Sequence, residues 1–149
     1  MTGSIFSTLP IEQMLSPHLM EIAKLIAALQ TASEGSEYLD YAIQRQFSLM
    51  KPVPAYTRSL DAAIQLVPEG WSIHRMGQRH DCRGNFTGWF AELYRAADAV
   101  IEFPANSQGA TAALAVCLAA MRVQHGLLLM AESEATSADD EAASSRYLA

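Results

Sequence analysis

Apolar residues recur at spacings of three and four through the first half of the chain and then switch to strict alternation. That change of period separates helices from strands. Leu19, Ile22, Ile26 and Leu29 form one stripe behind Ser16-Pro17, a hydroxyl at the cap and a proline at the first helical position. The pattern predicts a helix over 17–32, stopped by Ser33-Glu34-Gly35-Ser36, and a second over 37–46 with Leu39, Ala42 and Ile43 inward. Lys51-Pro52-Val53-Pro54-Ala55 is not helical, because each proline drives its predecessor into an extended conformation, and Tyr56-Thr57 is expected to prolong that extension. Ser59 caps a third predicted helix, 59–67, with Leu60, Ala63, Ile64 and Val67 buried and Asp61 at the positive end of its dipole.

After the turn Pro68-Glu69-Gly70 the period becomes two. The alternation predicts strands over 71–76, 86–94 and 97–103, joined through a polar connection at 77–85. Trp71, Ile73 and Arg75 are expected on one side of the first strand, with Ser72, His74 and Met76 opposite. On the second, Trp89, Ala91 and Leu93 oppose Phe90, Glu92 and Tyr94. Short connections favour an antiparallel meander. Pro104-Ala105-Asn106-Ser107 then leads to an alanine-rich helix over 108–130, with Ala110, Leu114, Cys117 and Met121 on its inner face. Three strands cannot hide both faces by themselves, so the expected fold is α+β, a three-stranded antiparallel sheet covered by helices.

Composition narrows this picture. The 149 residues suit one domain, expected over 16–131 after a leading segment 1–15 and before an acidic tail 132–149. Net charge is −6, and the tail holds most of it: five acids against Arg146. Too small and polar to form a core, 132–149 is expected to be disordered. No basic footprint for a nucleic acid backbone is visible, so none is expected as partner. No apolar run approaches the roughly 18 to 20 residues that cross a bilayer, and the first residues do not read as a secretory leader. Cys82 and Cys117 cannot build a disulfide framework, which points to reduced thiols in a cytoplasm.

Val53-Pro54-Ala55-Tyr56-Thr57-Arg58-Ser59-Leu60-Asp61-Ala62-Ala63, followed by Leu66-Val67-Pro68-Glu69-Gly70-Trp71, resembles the signature segment of the phage ABA sandwich domain family. Glu37-Tyr38-Leu39-Asp40 before it and the run Gly109 to Ala120 after it fit the same pattern, so the resemblance spans about 37–123. It implies an α/β/α sandwich and a phage or prophage origin, hence a place in the host bacterial cytoplasm. It carries no activity with it. The first helix, the 77–85 connection and the tail lie outside the pattern.

Candidate chemistry is sparse. His74, His80 and Cys82 lack the paired spacing and ligand number of a zinc site, so a solvated loop is preferred and no metal or other cofactor is expected. Cys117 falls on an apolar helix face, where a thiol acts as a small hydrophobe. Asp98 and Glu102 share a strand face but show no burial that would pair them. Ser59 is explained by capping, and the nucleophile-elbow, His-Glu-x-x-His and phosphate-loop motifs are absent. What remains is a group rich in arginine and aromatics. Arg75, Arg79, His80, Arg83 and Tyr94 are the candidate ligand-binding residues, with Trp71 and Trp89 close by. Arginine forks suit carboxylates and phosphates, and aromatic faces give a stacking surface. The expected function is that of a non-enzymatic accessory protein binding a host protein or a small anionic ligand. The alternatives are a small enzyme or nucleotide-handling protein using that arginine group, and a structural homo-oligomeric subunit. A helix apolar on more than one face also leads to an expected homodimer, with Leu128 or Leu129 at the contact.

Overall fold

A computed structural model describes residues 16–47, 52–95 and 105–148, with the side chains of 105–106 and 136–148 excepted. The elements are α1 (Pro17–Thr31), α2 (Glu37–Gln44), α3 (Leu60–Ile64), β1 (Trp71–His80), β2 (Phe86–Arg95), β3 (Ala105–Gly109) and α4 (Ala112–Leu148). The sheet is antiparallel in the order β1-β2-β3, so the α+β class and the three-stranded sheet stand.

Each of the first three helices starts where a serine can accept a hydrogen bond from an otherwise unpaired backbone N–H. Ser16, Ser36 and Ser59 accept from Leu19, Leu39 and Ala62 at 3.2, 3.2 and 3.4 Å. Thr111 does the same for Leu114 at the start of α4. The stripe of α1 buries Leu19, Ile22, Leu25 and Leu29, and α2 buries Leu39 and Ile43. α3 is shorter than expected. Its last turn tightens into i to i−3 bonds at Gln65, Leu66 and Val67, which swings Leu66 into the core and leaves Ile64 exposed. Tyr56 and Thr57 do not extend the chain either: Arg58 and Ser59 both donate to the Ala55 carbonyl, making a turn.

The sheet departs from the expected strands in three places. β1 runs to His80, because pairing with β2 keeps the polar stretch Gly77-Gln78-Arg79-His80 extended, and only 81–85 is left as the connection. A bulge follows Ile73. Ile73 faces Leu93 and Arg75 faces Glu92, so His74 is extra and Arg75 moves to the sheet face opposite Trp71 and Ile73, while Met76 joins the side of Ala91. The third strand is Ala105–Gly109, where a lead-in to the last helix was expected, and α4 accordingly begins at Ala112 rather than at 108. The stretch 97–103 expected as that strand lies outside the described residues, as do Asp98 and Glu102.

α4 is the centre of the molecule. Residues 113–121 and Val123 are all buried, so the helix is enclosed on every side, by the sheet, α1 and α3. Its alanines allow that close approach. At Gly109 a Cβ would stand 2.7 Å from the Ala115 nitrogen, so only glycine lets β3 lie against the first turn of α4. The layers run sheet, α4, then α1 to α3, and among the described residues no helix lies on the other sheet face. α4 is also helical through Leu148, past the expected end near 130 and through the segment expected to be disordered. Alanine is frequent from 131 onward and neither glycine nor proline follows Gly126, which favours continuation. The stretch Ala112–Ala135 is long and apolar enough to cross a membrane, contrary to the sequence expectation, but more than half of its most apolar part is buried in the domain.

Candidate functional site

The most enclosed polar cluster sits where the resemblance was found. Asp40 on α2 is buried, and its Oδ1 accepts from Thr57 N at 2.7 Å and Thr57 Oγ1 at 2.6 Å. Its Oδ2 accepts from Arg58 Nε at 2.9 Å. Tyr56 Oη donates to Gln44 Oε1 at 2.6 Å, and the Cys117 thiol donates to the Tyr56 carbonyl at 3.1 Å. Burial first, and the Asp40 carboxylate second, push the Cys117 thiol up from 9.0 to about 12. A thiol held protonated is no nucleophile, and this agrees with its expected core role. Tyr56 is likewise raised above 10.0, by burial and then by Cys117 and Asp40. These hydrogen bonds fasten the 54–59 turn to α2 and α4. The chemistry is that of a clamp.

The sheet face opposite α4 is different. Arg75 and Arg79 line a shallow depression of about 260 Å³ together with Phe90, Glu92 and Gln108. Arg75 and Arg79 share a face by the strand's alternation, and the bulge after Ile73 turns both to the side of Phe90 and away from Trp71 and Ile73. Gly77 makes room for Phe90 between them, since a Cβ at 77 would stand 3.3 Å from the ring. The Arg75 guanidinium lies 5.7 Å from the Phe90 ring centre, an attraction between cation and ring face. Arg75 Nε is 3.7 Å from Glu92 Oε2 with the arginine 63% exposed, so water screens the pair heavily. Among the described residues Arg79 has no ion-pair partner.

Of the five candidate residues, the structure brings Arg75 and Arg79 together and separates the others. His80 closes β1 and meets the edge of Phe86. Arg83 is exposed in the 81–85 loop, a tight turn built by Asp81, whose Oδ1 accepts from Arg83 N and Asn85 N at 2.9 Å each. Those bonds, led by the one from Asn85, hold the Asp81 carboxyl below its usual 3.8. Tyr94 stands at the far end of the same face, packed edge-on to His74. Trp71 is buried, whereas Trp89 is half-buried with Phe86 against it. Among the described residues no three His, Cys, Asp or Glu side chains converge on one point.

Sequence reasoning missed Phe90 and Gln108 as lining residues, because both depend on strand register. It also missed a depression of about 310 Å³ between α1 and α2, bordered by Lys24, Tyr38, Arg45 and Gln46. Tyr38 is 78% exposed there, an aromatic on a polar helix face that reads as ordinary amphipathic sequence. The sheet face is the better candidate although it is smaller, since two guanidinium groups and a ring converge on it. No family model, curated relative or solved structure matches the chain.

Proposed function

We propose that this is a non-enzymatic accessory protein of phage or prophage origin, acting in the host cytoplasm by holding an acidic group on its open sheet face. The origin rests on the resemblance of 53–71 to the phage sandwich signature. The binding role rests on one observation: Arg75 and Arg79 flank the Phe90 ring on a face that no described helix covers. Guanidinium groups offer fixed donor forks to a carboxylate or phosphate, and the ring adds an apolar contact. Among the described residues Glu92, beside Arg75, is the only carboxylate in the depression and no thiol or hydroxyl lines it, so the arrangement suits capture rather than turnover.

Titration of the labelled protein with inorganic phosphate, and separately with a short glutamate-rich peptide, followed by amide chemical shifts, tests this reading. Shifts confined to 75–79, 88–92 and 107–109, and lost in R75A/R79A, are the expected result. Shifts scattered over the surface, or unchanged in the double variant, refute it.

A further inference from the structure

The sheet face that no described helix covers and the far half of α4 complement each other in charge, length and position. On that face Arg75 and Arg79 stand against Glu92, a net +1 among the described residues. Residues 132–149 carry five acids against one arginine, a net −4. The direction of α4 is fixed by two contacts. Its first turn lies over Gly109, and ten or so residues later Arg122 Nη1 reaches Ser107 Oγ at 3.2 Å. α4 therefore runs back along β3, in the direction of β2, and leaves the sheet at the end where Trp71 pairs with Arg95. Beyond that point Leu129 and Met130 are exposed, and the backbone stays helical to Leu148. At 1.5 Å per residue, 132–148 spans about 25 Å. The ten residues of β2 span about 33 Å.

We propose that α4 of one copy lies across the open sheet face of a second copy, reciprocally about a twofold axis. The geometry allows it without bending the helix. Each α4 sits behind its own sheet, and a partner turned by the axis presents its open face to the emerging segment. Leu129 and Met130 then meet the Tyr94 and His74 end of the partner's face, and the acidic stretch 139–141 comes over Arg75 and Arg79. Each sheet gains a helical layer on the face that no described helix covers, and an α/β/α sandwich is completed in trans. This rests on the reading of that face as an acid-binding surface and names its first occupant as the chain's own helix. A host ligand would compete with it.

Sedimentation of the full chain at micromolar concentration tests the arrangement. A dimer is expected that weakens as salt rises, because exposed charge pairs are screened. R75E/R79E and D139K/D140K/E141K should each lose the dimer, and an equal mixture of the two should regain it, since each tail then meets an opposite charge. Circular dichroism of each variant keeps loss of fold apart from loss of contact. A wild-type monomer overturns the proposal, as does a dimer indifferent to R75E/R79E or a mixture that stays monomeric. Phosphate shifts at 75–79 in a monomeric wild type would leave the binding function standing while this inference falls. A charge-swapped dimer without such shifts would do the reverse.

Discussion

Cys117 and Cys82 are the same residue type with opposite fates. Cys82 is exposed and Cys117 is sealed against the Tyr56 carbonyl. A thiol reagent at neutral pH should titrate one cysteine per chain in the native state and both after denaturation; two reactive thiols in the folded protein would contradict the packing of the clamp. The raised thiol also fixes an alkaline limb. Its stabilisation is fully present below the unfolded value near 9 and is lost as pH rises toward about 12, because the unfolded chain gives up the proton first. Tyr56 acts in the same direction. Thermal melts across that window should fall more steeply for wild type than for Cys117→Ala. At the heart of the clamp, Asp40→Ala orphans the buried Thr57 N–H, which alone costs about 1 to 3 kcal/mol. Urea unfolding measures that loss, and an unchanged midpoint would mean the cluster is dispensable. Gly35→Ala should also destabilise, since its Cβ would run into the Thr57 carbonyl. The capping serines among these residues are legible in sequence, because a cap is a local event. Asp40 is not: its partners are 17 and 18 positions away.

Among the elements, α1, α2 and β2 follow from period alone, since each has one apolar face and a single side to bury. β1 and β3 do not. Gly77 to His80 and Ala105 to Gly109 have few strand-forming side chains and are extended by their pairing with β2. The two tryptophans measure how far alternation can be trusted. Trp71, 8% exposed at the start of β1, should lose about 3 to 5 kcal/mol on replacement by alanine. Trp89, half-buried where the sheet ends, should lose visibly less by the same unfolding assay; equal losses would place both in the core. α4 shows the opposite failure. Alanine and glutamate carry the helix past Met130, where polarity suggested disorder, yet helicity does not require packing on the domain. Deleting the chain from Ser133 onward should therefore leave the melting temperature within a few degrees. A larger drop would show that the far half of α4 stabilises the fold, within one copy or across two.

At the scale of the whole molecule, the enclosed α4 makes a core in which the sheet, α1 and α3 all depend on one element. Replacing Ala119, fully buried on that helix, by leucine should cost about 1 to 3 kcal/mol through overpacking, read as a lower urea midpoint; tolerance would reveal slack around the helix. The α+β class and the antiparallel sheet follow from local period, capping and composition, which neighbouring residues decide among themselves. The bulge that carries Arg75 to the side of Phe90, the third strand at 105–109, the buried clamp around Asp40 and the open face beyond the sheet were decided by tertiary structure. Each depends on register or on contacts between distant segments, and a shift of one residue moves a side chain to the other face of a sheet.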